Sequence, residues 1–282
     1  MYKKVYGIVH KIYFHAPYFV FYYLKRKNIN AVYEILSDKL SCDVLKAYIR
    51  FNLYGDTKRL MELARPINLM YFDNSIFSLR EDEVFVDMGA LNGHDSKRFA
   101  KLTNNKYGAI YMFEPDPMSF SKSKDSAETL RNALLFNEAC FDQNGEISFA
   151  SYQWGGSRVS SIKTDETVQV KTVRLDDKNL NPAPTFIKMD IEGSEAAALR
   201  GAEETIKTSK PKLAVCIYHK PEDIYELPKL MASLLPGAKV YIRQYKNPKS
   251  KFLGSDLIRE LTPAQYAGIR YDLVCYAVSE AQ

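Results

Sequence analysis

Several features that would assign a chain quickly are missing from these 282 residues. There is no Cys-x-x-Cys pair, and the four cysteines (Cys42, Cys140, Cys216 and Cys275) lie far apart without metal-ligand spacing. Cys140, Cys216 and Cys275 fall inside apolar runs and read as small buried hydrophobes, which suits a reducing cytoplasm. No small-residue cleavage site follows the N-terminal region, which argues against export. The apolar, aromatic segment 12–24 is too short to span a bilayer, and Pro17 interrupts it. No internal repeat or low-complexity segment is visible. There is no G-x-G-x-x-G fingerprint, and no Lys-Ser/Thr follows a glycine turn as a phosphate loop requires.

Acidic residues are absent from the first thirty positions, which carry Lys3, Lys4, Lys11, Lys25, Arg26 and Lys27. Aromatic rings flanked by such bases suit a membrane interface, so residues 1–30 are a candidate for peripheral contact at the inner membrane face. The competing reading is a helix whose aromatic face packs on the main domain. The net charge of +5 is mild. With bases gathered at the N-terminus and around Lys246, Lys249 and Lys251, no aromatic-interleaved groove for nucleic acid can be traced.

What is present is an alternation of strands and helices. Residues 1–80 read as helical segments at 31–36, 44–49 and 60–64, and 81–282 as the main domain, with the boundary near residue 80. Strands are expected at 84–88, 109–114, 133–140, 185–190, 213–218, 239–245 and 272–278, with helices at 93–102, 117–130, 194–208 and 223–235. Strands 146–152 and 167–175 form a hairpin-like insertion. This is an α/β, doubly wound, mostly parallel seven-stranded sheet with a closing antiparallel hairpin and a helical N-terminal extension.

Two strand ends carry the chemistry. Val84-Phe85-Val86-Asp87-Met88-Gly89 and Phe186-Ile187-Lys188-Met189-Asp190-Ile191-Glu192-Gly193-Ser194-Glu195 are apolar runs that stop at a carboxylate and a glycine. Open α/β sheets bind ligands at such carboxyl ends. In Asp87-x-Gly89-x-x-x-Gly93, glycine allows a tight turn and close approach of backbone amides to a ligand. A carboxylate before that turn repels a pyrophosphate and welcomes an ammonium, favouring S-adenosylmethionine over a dinucleotide. Glu114, ending the next strand before Pro115, can accept hydrogen bonds from ribose hydroxyls, while Asp116 before Pro117 reads as a helix cap.

These blocks, with Leu199-x-Gly201-Ala202 and Asp272-Leu273-Val274-Cys275-Tyr276-Ala277, resemble the FkbM-type methyltransferase family over roughly residues 80–280. The resemblance implies a class I S-adenosylmethionine-dependent fold and methylation at oxygen, often on a sugar hydroxyl. Carried over, Asp87, Gly89, Ala90 and Gly93 frame the methionine end of the cofactor, with Asn92 and Ser96 as further polar candidates. Glu114 and Pro115 lie at the ribose, and Glu138 and Ala139 near the adenine edge.

Asp190 ends its strand beside the sulfonium. With Glu192 and His219, which follows strand 213–218, it is a candidate general base or ligand of a divalent cation. Glu195 reads as a first-turn acid that stabilises a helix N-terminus. His94 has a cofactor-shell role or simple exposure, and His10 and His15 carry no evident chemistry. Trp154-Gly155-Gly156-Ser157-Arg158 suits sugar stacking or a lid, or is an exposed hairpin tip. The expected partner is a hydroxylated small molecule or saccharide. The alternatives are a dinucleotide-dependent oxidoreductase and a non-enzymatic membrane- or partner-binding module using residues 1–80.

Overall fold

The computed structural model describes residues 2–150, 158–159, 167–246 and 272–279, with the first helix given by its backbone alone up to residue 16. Helices α1 (Tyr2–Ile35), α2 (Lys39–Tyr54) and α3 (Thr57–Leu63) lead to a two-residue strand, β1 (Arg65–Pro66). The alternation then begins with β2 (Val84–Met88), α4 (His94–Leu102), β3 (Ala109–Phe113), α5 (Pro117–Glu128) and β4 (Ala133–Phe136). An insertion carries β5 (Ala139–Cys140), β6 (Gly145–Ala150), β7 (Arg158–Val159) and β8 (Thr167–Val173). The main path resumes with β9 (Phe186–Met189), α6 (Glu195–Gly201), α7 (Glu203–Ser209), β10 (Lys212–Cys216), α8 (Asp223–Leu234), β11 (Lys239–Lys246) and β12 (Asp272–Val278).

The main sheet runs in the order β1-β11-β12-β10-β9-β2-β3-β4, and the insertion forms a second sheet, β5-β8-β6-β7. Strand β12 lies between β10 and β11 and is antiparallel to both, while the other pairings of the main sheet are parallel. The expected seven strands are all there, and β1 adds an eighth along β11.

The strands are near-continuous apolar runs because helices or loops cover both faces. Val84, Val86, Met88, Ile187, Met189, Leu213 and Val215 face one core layer, and Phe85, Phe186, Ala214 and Cys216 face the other. The segment before residue 80 feeds both. Val32, Val44 and Leu45 enter the first layer, while Met70, Tyr71, Phe72 and Phe77 enter the second.

Two elements differ from the sequence reading. The strand expected over 133–140 splits, because the chain leaves the main sheet at Asn137, whose side-chain amide donates to the carbonyls of Glu114 and Pro115. Ala139–Cys140 then pairs with β8 in the second sheet. The helix expected over 194–208 breaks between Gly201 and Glu203. There the backbone passes so close to the Phe141 carbonyl that a Cβ on Gly201 would overlap it. Residues 154–157, Lys249 and Lys251 lie outside the described residues.

Two lysines interrupt these apolar strands, and both are buried in ion pairs. Lys212 is fully buried against an equally buried Glu83, at 2.9 Å, joining the start of β10 to the residue before β2. Breaking such a pair leaves an uncompensated charge in the core. Glu83→Ala is therefore expected to destabilise the fold by roughly 3–5 kcal/mol, read by urea denaturation. Replacing both residues with apolar ones of similar size should recover most of that loss, and equal losses in the single and double variants would refute this account.

Candidate active site

The strand order reverses at β2, with β3 and β4 on one side and β9 and β10 on the other. Ligands of open α/β sheets sit in the crevice outside such a switch point. Here the carboxyl ends of β2 and β9 are locked together. Asp190 N donates to Met88 O, and Gly89 (φ +82°) packs so tightly that a Cβ would overlap the Asp190 carbonyl oxygen. Gly93 (φ +73°) caps α4, and a Cβ there would press into Ser126.

Beneath this turn lies Lys188, the second buried lysine. Its Nζ donates to Asp87 Oδ1 at 2.9 Å and to the Gly89 carbonyl at 2.9 Å, with Asp95 Oδ2 at 3.9 Å. Burial opposes the charge, but Asp87, Asp95 and Asp190 hold the ammonium pKa above its ordinary value. The second oxygen of Asp87 accepts from Ser96 Oγ at 2.8 Å. Asp87 and Ser96 are both fully buried. They brace the turn from below, and the ammonium that the Asp87 carboxylate welcomes is that of Lys188.

The other residues expected around a cofactor are distributed along the rim. The amides of Gly89 and Ala90 donate to the Phe113 carbonyl at the end of β3. Asn92 Oδ1 accepts from the His94 amide at 3.0 Å, and the His94 side chain is exposed. Glu114 is buried, its two oxygens accepting from the Leu91 amide at 2.7 Å and the Asp116 amide at 2.9 Å. Burial pushes its carboxyl pKa up to about 7. Asp116 caps α5 as read, accepting from Ser119 N at 2.8 Å. Glu138 pairs with Lys178 at 2.8 Å, and Lys178 lies over the Phe136 ring, while Ala139 belongs to the second sheet.

At the end of β9 the carboxylate of Asp190 is surrounded. It accepts from Tyr71 OH at 2.8 Å and from Tyr218 OH at 3.3 Å, and His219 Nε2 lies 3.3 Å away. His219 Nε2 is also 3.5 Å from Glu192 Oε2, and its Nδ1 is 2.9 Å from Glu195 Oε1. Burial alone would raise the Asp190 pKa, but His219 at 3.3 Å, the charge of Lys188 and the Tyr71 hydroxyl together drive it well below the usual carboxylate range. Burial works against the imidazolium too, but Asp190 and Glu195 push the His219 pKa up to about 10. Both shifts favour a carboxylate beside an imidazolium.

Glu195 begins α6 as expected, yet a helix-start role is too small for it. The side chain is fully buried, accepts from the Ile191 amide at 3.0 Å, and holds the far side of the His219 ring. Among the described residues, Asp190, Glu195 and His219 are the group whose donor atoms could converge on a metal ion. Glu192, in a left-handed conformation (φ +55°), stands beside Nε2 instead.

Tyr71 and Tyr218 escape a reading by motifs. Tyr218 directly precedes His219 at the end of an apolar run, so its position was the available signal. Tyr71 had none, because it reaches Asp190 from the segment before β2, 119 positions away in the chain.

A mixed sheet with one antiparallel strand inserted between β10 and β11, and a switch point where β2 meets β9, defines a class I methyltransferase-type fold. The chain belongs to the FkbM methyltransferase family: the model of the methyltransferase FkbM domain matches residues 87–245. It is a methyltransferase, and residues 87–93 and 186–195 lie inside the matched span, whereas Tyr71 lies outside it.

The chain is similar to the 2-O-methyltransferase NoeI of Sinorhizobium fredii, 26% identical over 217 residues, covering 64% of this chain and 84% of that protein. It is also similar to the hexuronic acid methyltransferase AglP of Haloferax volcanii, 22% identical over 132 residues, covering 45% and 53%. The crystal structure of methyltransferase FkbM from Methylobacillus flagellatus shares the fold, with a TM-score of 0.73 at 23% identity. The match takes in 92% of this chain but 60% of that longer one.

The elevated His219 pKa makes stability depend on pH. The group gains its partners on folding, so its contribution is complete below the unfolded-state value near 6.5 and is lost as pH rises through about 10. Thermal melts across this window should show a decline in wild type that His219→Gln flattens. An identical decline in both proteins would assign the effect to other groups.

Proposed function

We propose that the chain is an S-adenosylmethionine-dependent O-methyltransferase acting on a hydroxyl of a saccharide or glycosylated acceptor. The observation that carries this is the Asp190 carboxylate, held ionised at the switch-point rim by Tyr71, Lys188 and His219. The names of NoeI and AglP, a 2-O-methyltransferase and a hexuronic acid methyltransferase, support oxygen as the target and a sugar as the acceptor class. The match to the methyltransferase FkbM domain sets aside the dinucleotide-dependent alternative.

The rim fits the methyl donor at Glu114, a buried carboxylate whose oxygens each keep a lone pair beyond their backbone partner. Ribose hydroxyls would donate to those lone pairs and stabilise the charged form that burial disfavours. When bound, S-adenosylmethionine supplies an electrophilic methyl group on a cationic sulfur.

Asp190 Oδ1 and Oδ2 receive the acceptor hydroxyl and later its proton. A carboxylate with a depressed pKa is a weak base, but a hydroxyl oxygen that gains a methyl group becomes an oxonium far more acidic than a carboxylic acid. The proton therefore passes late, and a weak base suffices. His219, as an imidazolium, orients Asp190 and steadies its charge. Glu195 fixes the ring from behind, and Glu192 flanks the approach.

Two measurements test this reading. Asp190→Asn should lower turnover about a hundredfold or more while leaving methyl-donor affinity by titration calorimetry within a few-fold of wild type. Full turnover in that variant, or tight binding of NAD with none of the donor, would end the proposal. Turnover indifferent to EDTA and to added Mg²⁺ fits the base role, whereas loss and restoration would reassign Asp190, Glu192, Glu195 and His219 to a metal. Donor affinity should also rise with pH through about 7, as Glu114 ionises, and Glu114→Gln should bind weakly without that rise.

A further inference from the structure

Helix α1 is bulky and apolar on two opposite faces, and the protein uses only one of them. Tyr22, Ile29 and Val32 are buried in the first core layer, with Tyr18 and Phe21 packed against it. Half a turn out of phase, Phe19, Val20, Tyr23 and Leu24 are between 56% and 66% exposed, a run of large apolar side chains turned to solvent. A solvent-facing helix surface ordinarily carries polar residues there, and a contiguous exposed apolar patch marks a contact site.

The charge beside the patch says what kind. Lys25, Arg26 and Lys27 follow it directly and are exposed, and among the described residues none of the three enters an ion pair. No acid lies anywhere in residues 1–30. No helix among the described residues is long and apolar enough to cross a membrane. Aromatic and aliphatic side chains bordered by bases outside any ion pair, with Arg26 stacked over the Tyr23 ring, fit the headgroup boundary of an anionic bilayer, into which such a helix lies flat.

The patch also sits at the edge of the sheet where the chemistry is. The Phe21 ring is 6.1 Å from that of Tyr225, in the first turn of α8, and α8 begins just after His219. The other end of α1 reaches the opposite edge of the sheet, where Leu36 bridges Val240 at the start of β11. The helix therefore runs antiparallel to β11, and its exposed apolar turn lies toward the carboxyl rim that holds Asp190.

We propose that this face of α1 docks the protein on an anionic lipid surface, with the carboxyl rim of the sheet turned toward that surface. The docked enzyme meets acceptors held at the headgroup level, and the docking itself is independent of which methyl donor or acceptor the site takes.

The test is co-sedimentation of the full chain with phosphatidylcholine vesicles, with and without phosphatidylglycerol. The wild type should pellet with the phosphatidylglycerol vesicles and be released by high salt, and should not pellet with phosphatidylcholine alone. Lys25→Glu/Arg26→Glu/Lys27→Glu should weaken partitioning about a hundredfold, and Phe19→Ser/Tyr23→Ser/Leu24→Ser should abolish it. Circular dichroism melts matching wild type would show that both variants fold. Absence of wild-type binding, or binding untouched by either set of substitutions, overturns the proposal. So does a wild-type dimer in light scattering that the serine variant converts to monomer, since a second copy would then cover the face. None of these readouts uses methyl transfer, so the outcome is separate from that of the proposed activity.

Discussion

At the switch point of the sheet a lysine ammonium is buried between two strands. Lys188 and Asp87 are partners in the β9–β2 register, and the Lys188 side chain rises to the Asp87 carboxylate and the Gly89 carbonyl above it. Both groups are out of water, where an unpaired charge would cost several kcal/mol. The pair therefore fixes the relative height of two strand ends that must meet. Gly89 can then lie against the Asp190 carbonyl, the turn into α4 can close over Asp87 and Ser96, and the Asp190 side chain emerges at a defined place on the rim. The cationic Lys188 also contributes to keeping Asp190 ionised. Structure and electrostatics at the rim share one origin.

The second constraint comes from outside the family domain. Tyr71 adopts a left-handed conformation (φ +67°), a cost that a non-glycine residue bears only when its surroundings impose it. Here they do. The Tyr71 amide donates to Tyr276 OH at 3.0 Å, Tyr276 and Tyr245 share a hydrogen bond at 2.7 Å, and Tyr245 donates to Asp73 at 2.9 Å. The chain of hydroxyls ties residues 71–73 to β11 and β12 and aims the Tyr71 phenol at Asp190. The segment before β2 thus completes the site rather than merely covering the sheet.

Much of the architecture was legible because fully buried parallel strands are short apolar runs, and each ended at a polar residue that marks the rim. Asp87, Glu114, Asp190 and His219 were placed at strand ends in this way. What such reading cannot weigh is where each side chain finds its partner. Asp87 looked like a ligand group, but a lysine two positions before Asp190 had already claimed it. A lone lysine inside Phe186-Ile187-Lys188-Met189 does signal a buried counter-ion, though it does not name one. Glu195 looked like a helix-start acid because nothing in local sequence shows His219 folding back over it from the next strand. Tyr71 was invisible because its role depends on a contact made across more than a hundred residues.

The charge of the rim bears on how the proposed reaction would turn over. Asp190, Glu192 and Glu195 face one imidazolium, while Asp87 and Lys188 neutralise each other below. The cluster remains anionic even with His219 protonated. A cationic sulfonium donor is attracted to such a rim, and at the reduced dielectric of a half-buried site that attraction is worth several times its value in water. Transfer of the methyl group would leave a neutral thioether, and an acceptor proton passed to Asp190 would remove one negative charge from the rim. Both changes weaken the hold on the spent donor. The same carboxylates that would draw the donor in would therefore favour release of the product once chemistry is done, provided the proton on Asp190 leaves to solvent before the next donor arrives.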